Sequence, residues 1–232
     1  MKELFLFFDL GQTLIDESKF INFCDQKLLE LINGFGGKID LRNYITLRNN
    51  IIKNRIIGNG GIEELITNIS RLILPRGYDK IILKKINPFI SYGKKELFCL
   101  KNGTKKVIET LSNYCELGII SNQTEEALEP LIKANLLSLF REIFIPSKTK
   151  MKKPEEKLFL NAIESSRFAI AKCLMIGDRL DIDIFPANKL GMKTIRIIDS
   201  LFNLQSPINS YEIPTYTVKK LDEIPIIIKD IL

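Results

Sequence analysis

The residues of this chain that could do chemistry sit where apolar runs stop. Asp9 follows Leu4-Phe5-Leu6-Phe7-Phe8, and Ser121 and Asn122 follow Leu117-Gly118-Ile119-Ile120. Lys153 precedes Pro154, and Asp178 follows Cys173-Leu174-Met175-Ile176-Gly177, with Asp183 shortly after. There is no histidine in the chain. That excludes Ser-His-Asp and Cys-His catalysis and any His-ligated metal. Catalysis is left to carboxylates, lysines, hydroxyls, backbone dipoles or a metal held by oxygen. Each residue also has a plain structural reading. Asp9 can turn the chain, Ser121 can cap the next helix, Lys153 can be a surface lysine beside Lys148, Lys150 and Lys152, and Asp183 can sit in a helix's first turn.

The elements that must position these residues follow from periodicity. An unbroken apolar run such as 4–8 suits a strand covered on both faces, and in open α/β sheets the chemistry sits at the carboxyl ends of strands. Phe20, Phe23, Cys24, Leu28, Leu31 and Ile32 then share one helical stripe, which Gly34, Gly36 and Gly37 end. Asp40 reads as the N-cap of a second helix with Leu41, Tyr44, Ile45, Ile52 and Ile56 on its apolar side, stopping at Gly58-Asn59-Gly60-Gly61. A third covers about 62–74. Asp79 can cap a fourth from Lys80, which Pro88 should limit. Residues 16–100 therefore read as an all-helical block.

From Asn102 onward the texture alternates. Strands are expected at 117–120, 142–145, 173–176, 193–198 and 216–218. Helices are expected at 104–114, 125–135 (irregular at Pro130), around Leu158, Phe159, Ala162 and Ile163, at 182–190 closed by Gly191, and toward 221–232. This order argues an α/β protein, a three-layer Rossmann-like parallel sheet core of residues 1–15 and 101–232 with the helical block inserted after the first strand.

At 232 residues and 45% hydrophobic, the chain can build one or two domains. The net charge of +6 comes from scattered basic residues, so a lysine-coated surface is expected and nucleic acid is not. Cys24, Cys99, Cys115 and Cys173 show no Cys-x-x-Cys pair, which argues against zinc and a disulfide framework and fits a cytoplasmic setting. The opening reads as mature protein rather than a secretory signal. No apolar stretch approaches the roughly 18 to 20 residues that span a bilayer, so no membrane partner is expected.

Taken in order, the strand-end residues form a set. Phe7-Phe8-Asp9-Leu10-Gly11-Gln12-Thr13-Leu14, Ile119-Ile120-Ser121-Asn122, Lys153-Pro154 and Gly177-Asp178-Arg179-Leu180-Asp181-Ile182-Asp183 resemble the four motifs of the haloacid-dehalogenase-like (HAD) superfamily, whose members are mostly magnesium-dependent phosphatases. The resemblance covers essentially the whole chain, and it makes residues 16–100 the cap. It implies Asp9 as the nucleophile that forms an aspartyl-phosphate, and Lys153 as the cation pairing with nucleophile and phosphoryl group. It implies Ser121 and the amide of Asn122 as phosphate holders. Mg2+ would take Asp9, Asp178 and the Gly11 carbonyl, with Asp183 a ligand through water or an orienting residue. A small phosphorylated substrate and a monomer or small homo-oligomer are the expected partners.

Gly11 departs from the pattern, since phosphatases of this family carry there the Asp that protonates the leaving alcohol. Such acid–base help is typically worth ~10² to 10⁴ in rate. Three readings stay open. A phosphatase could take its acid from elsewhere, Asp16 being nearest, or use substrates with good leaving groups. A phosphonatase-like enzyme accepts a small residue there and uses a cap lysine, for which Lys53 is the candidate; the dehalogenase branch, with an aromatic at that place and no metal, fits poorly. A phosphate-binding or partner-binding protein could keep the fold without turnover. Arg48, Lys53 and Arg55 could face an anionic substrate, although a solvated helix face explains them as well.

Overall fold

The computed structural model describes residues 2–232. The chain divides into two compact units, one holding the residues up to Asp16 with Cys99–Leu232, the other Glu17–Phe98.

The first unit is built on a six-stranded sheet. Its strands are β1 (Leu4–Phe8), β4 (Cys115–Ile120), β5 (Phe140–Phe144), β6 (Cys173–Gly177), β7 (Lys193–Ile197) and β8 (Tyr216–Val218), in the order β5-β4-β1-β6-β7-β8. Every pairing is parallel. A parallel order needs crossover connections, and α5 (Thr104–Ser112), α6 (Glu129–Lys133), α7 (Pro146–Thr149), α8 (Glu156–Ser166) and α9 (Phe185–Leu190) lie in them, while α10 (Ile224–Ile231) follows the last strand. All five residues of β1 are buried, as a central strand covered on both faces requires. Phe5 and Phe7 share a core cluster with Leu158, Phe159 and Ala162 of α8. Gly118 of β4 makes room for them, because a Cβ there would come within 2.8 Å of Phe5 and 2.9 Å of Phe7.

A two-stranded antiparallel ribbon, β2 (Ile15–Asp16) with β3 (Cys99–Leu100), also belongs to this unit. Asp16, Cys99 and Leu100, expected within the helical block, stand in this ribbon instead, since strands of two residues leave no periodic trace.

The second unit holds α1 (Ser18–Gly34), α2 (Leu41–Lys53), α3 (Ile62–Ile73) and α4 (Tyr78–Leu97). Asp40 does cap α2, its carboxylate accepting the Asn43 N–H at 2.7 Å. The expected apolar face of α2 needs correction, because Leu41 and Ile56 are both 52% exposed while Tyr44, Ile51 and Ile52 are buried. Helix α4 starts one residue after a left-handed Gly77 (φ 95°) rather than from an Asp79 cap, and it runs through Pro88. Pro88 lies on an exposed stretch of that helix, where water can satisfy the carbonyl that a proline releases.

A buried polar trio was not anticipated. Asp25, on the inner stripe of α1, accepts a hydrogen bond from the Tyr44 hydroxyl at 2.7 Å and pairs with the Arg48 guanidinium. Burial raises the Asp25 carboxyl above its ordinary range, while Arg48 and Tyr44 pull it back. Arg48 is therefore neither on a solvated face nor free to meet an anion. Lys53 is exposed in the last turn of α2, without the burial that would make a lysine amine nucleophilic.

Candidate active site

The sheet delivers its side chains to one edge. The Asp9 N–H donates to the Ile176 carbonyl at 2.9 Å, continuing the β1–β6 pairing one residue beyond β1. Likewise the Ser121 N–H donates to the Phe144 carbonyl at 3.0 Å beyond β4. Parallel strands that end together turn sequence-distant residues into neighbours. The Ser121 hydroxyl donates to Asp9 Oδ1 at 2.8 Å, and Lys153 Nζ donates to the same oxygen at 2.6 Å. Lys153 Nζ also donates to Asp183 Oδ1 at 2.5 Å.

Lys153 is deeply buried, its side chain 1% exposed. Burial alone would lower the ammonium's pKa; the carboxylates of Asp183 and Asp9 outweigh it, and the net shift is upward. The Lys153 backbone is clamped by Asn122, whose Oδ1 accepts the Lys153 N–H at 2.6 Å and whose Nδ2 donates to the Lys153 carbonyl at 2.9 Å. The side chain of Asn122 thus fixes the lysine, a task its sequence context did not reveal.

Asp183 offers both oxygens to the chain's own donors, since the Arg179 N–H reaches Oδ2 at 3.0 Å. The carboxylate lies so close to Gly177 that a Cβ there would meet it at 2.5 Å, which accounts physically for a glycine before Asp178. Asp178 is the unsatisfied member. Its Oδ2 is buried with no hydrogen-bond partner, an arrangement buried polar atoms rarely tolerate. Burial, then the Asp183 and Asp9 carboxylates, push Asp178 up to about 8, against the pull of the Ser200 hydroxyl and Arg179. Burial first and Asp9 next push Asp183 up to about 6, with Lys153 opposing.

Asp9, Asp178 and Asp183 each place a carboxylate oxygen within 4.8 Å of the others. Three buried carboxylates, an orphaned oxygen and an all-oxygen donor set fit a hard divalent cation such as Mg2+. Gly11 brings no carboxyl to this place; its backbone bridges to Ile15. Asp16 lies on β2 opposite Cys99, outside the carboxylate cluster.

Residues 6–197 match the family model described as haloacid dehalogenase-like hydrolase. The chain belongs to the haloacid dehalogenase-like hydrolases. Among curated relatives, the glyceraldehyde 3-phosphate phosphatase of Methanocaldococcus jannaschii is 25% identical over 230 residues, 97% of each chain. The protein of that name from Pyrococcus abyssi is 27% identical over 194 residues, 82% of this chain and 79% of its own. Two solved structures share the fold. A chain assigned to the HAD-hydrolases, YfnB of Bacillus subtilis, solved bound to magnesium, superposes with a TM-score of 0.68 at 22% identity, covering 98% of this chain and 99% of its own. A HAD-superfamily hydrolase of Geobacter sulfurreducens gives 0.66 at 15% identity, covering 97% and 95%.

In this HAD-like hydrolase a further strand end reaches the site, which the sequence reading passed over. Beyond β7, Ser200 opposes the upward shift of the Asp178 carboxyl, and the Leu201 N–H donates to Gln12 Oε1 at 2.7 Å. The rule that located Asp9 and Ser121, a polar residue just past an apolar strand, applies equally to Asp199-Ser200 after Lys193–Ile197. Lys101 joins the same group through the Gln12 carbonyl at 3.1 Å. Among the described residues, no helix is long and apolar enough to cross a membrane.

Proposed function

We propose that this hydrolase is a Mg2+-dependent phosphatase that cleaves a small phosphorylated metabolite through an aspartyl-phosphate on Asp9. The observation that carries the reading is the convergence of three buried carboxylates and one buried ammonium on the sheet edge, with Asp9 at its centre. Both donors to Asp9 reach Oδ1, which leaves Oδ2 to attack phosphorus. The bond from Oδ2 to phosphorus forms as the ester P–O bond breaks, and the electron pair departs with the alcohol oxygen. Water then attacks the phosphoryl group and returns Asp9 as a carboxylate.

Lys153 stays protonated through both steps, countering charge on Asp9 and on the phosphoryl oxygens. The Ser121 hydroxyl and the Asn122 N–H hold a phosphoryl oxygen, while the Asn122 side chain keeps Lys153 in register. Asp9, Asp178 and the Gly11 carbonyl would hold Mg2+, which when bound neutralises the anionic ester. Asp183, with both oxygens already engaged by Lys153 and Arg179, serves as an orienting residue outside them.

With glycine at position 11, the leaving alcohol receives no proton from that place. Asp16 is the nearest substitute acid; otherwise substrates whose leaving group departs unaided are favoured. The relatives' name makes glyceraldehyde 3-phosphate the first compound to assay.

A panel of phosphorylated metabolites headed by that triose phosphate, each with Mg2+ and with chelator, tests the reading. Mg2+-dependent phosphate release from at least one small ester is expected. Release that chelator leaves untouched, or none from any ester including activated aryl phosphates, would contradict it.

A further inference from the structure

The loop that follows Asp9 winds around one backbone atom. The Leu10 carbonyl accepts the N–H groups of Thr13, Leu14 and Ile15 at 3.1, 2.9 and 2.8 Å. These bonds close the turn on either side of Gln12, which sits at φ 53°, in the left-handed region that a side chain other than glycine disfavours. A residue held there needs outside support.

Gln12 has two such supports. Its side-chain Oε1 accepts the Leu201 N–H at 2.7 Å, and its carbonyl accepts Lys101 Nζ at 3.1 Å. Both supports are anchored in turn. Lys101 Nζ pairs with Asp199 Oδ2 at 3.2 Å and also donates to the Asp199 carbonyl, with the lysine side chain only 13% exposed. The segment after β7 is held by Arg196, which donates to the Phe202 carbonyl at 2.9 Å, and by the Arg179 guanidinium 4.3 Å from the Phe202 ring centroid.

The backbone angle at residue 12 has a consequence one residue earlier. The peptide unit joining Gly11 to Gln12 turns about ψ of Gly11 and φ of Gln12. Glycine imposes little on its own ψ. The direction of the Gly11 carbonyl is therefore set by the bridge of the Gly11 backbone to Ile15 together with whatever fixes Gln12.

We propose that Gln12 and Lys101 are positioning residues that aim the Gly11 carbonyl at the divalent-cation site, by pinning the loop after Asp9 to the segment after β7. The proposal rests on the reading above in which that carbonyl is a metal ligand. It gives the segment after β7 a part in the site: Asp199, through Lys101, and Leu201 hold the Asp9 loop.

Calorimetric titration of the full chain with Mg2+, beside melting temperatures in chelator and kcat and KM for an aryl phosphate, tests it. Partners that orient a metal's ligands typically cost ~10- to 100-fold in affinity when removed. Gln12→Ala and Lys101→Met should therefore weaken Mg2+ binding by about tenfold or more, with KM for the ester moving less than kcat. Lys101→Arg, which keeps a donor, should stay near wild type. Gln12→Gly separates support from strain: glycine accepts the left-handed angle freely but has no bond to Leu201, so weakened Mg2+ binding is expected there too. Wild-type affinity in that variant would show that the bond only offsets strain and would overturn its part in aiming the carbonyl. Wild-type affinity in Gln12→Ala and Lys101→Met overturns the proposal while leaving the phosphatase reading intact. Failure of the wild-type chain to bind Mg2+ overturns both.

Discussion

Each unit of the molecule buries acid beside base, and the two do it differently. In the helical unit one carboxylate, Asp25, faces one guanidinium, Arg48, and one phenol, Tyr44. At the sheet edge three carboxylates crowd together, two of them share the ammonium of Lys153, and one oxygen of the third has no hydrogen-bond partner. The first arrangement is balanced and needs nothing further. The second carries more negative charge than the chain itself compensates, so it is stable only by holding protons or by taking in a cation. A buried charge that is satisfied locally is architecture; a surplus is an invitation to a ligand.

The largest expected effect tests what the sheet edge lacks. Gly11→Asp should raise kcat on alkyl phosphates by ~10² to 10⁴, the usual worth of a positioned acid, and change aryl phosphates with good leaving groups much less. Rates plotted against leaving-group pKa would show it; an unchanged slope would mean that an acid such as Asp16 already serves.

Next, Arg48→Ala in the balanced trio strands Asp25 as a buried carboxylate. Losing one partner of a buried pair typically costs ~3–5 kcal/mol, to be read from urea unfolding followed by helical signal. Replacing Asp25 and Arg48 together by apolar residues of similar volume should recover most of the loss, and no recovery would mean that the pair is not locally balanced.

The sheet edge should respond to pH in chelator as a surplus does. Folding moves Asp178 up to about 8 and Asp183 up to about 6 from an ordinary carboxylate value of 3.8. The folded state therefore binds more protons than the unfolded chain across that window. Stability falls as pH rises from about 4 toward 8, with a slope below about 1.4 kcal/mol per pH unit for each group. Mg2+ should restore melting temperature most at the alkaline end. Asp178→Asn should flatten the curve, gain ~1–3 kcal/mol near pH 8 and abolish the Mg2+ response. A chelated wild-type protein whose melting temperature holds level across the window would refute the surplus.

The site was more legible in the sequence than the helical unit was. Asp9, Ser121 and Asp178 declare themselves because parallel strands present long apolar runs and polar residues at one end, and Lys153 and Asp183 follow from their order among those motifs. Nothing comparable marks Asp25, which sits on an otherwise apolar helical stripe and is decided by Arg48, a residue 23 positions away. Pro88 misled for a related reason: a proline breaks a helix only when its released carbonyl cannot reach water. Gln12 was hidden because its left-handed backbone and its bond to Leu201, 189 residues along the chain, exist only in three dimensions.

The central claim is that Asp9 is the nucleophile of a Mg2+-dependent phosphatase. Hydrolysis of an activated aryl phosphate by the wild-type chain and by Asp9→Asn, each with Mg2+ and with chelator, tests it most directly. Turnover in the wild type with Mg2+, lost in chelator and lost in Asp9→Asn, is the predicted result. Equal residual turnover in both proteins would contradict it.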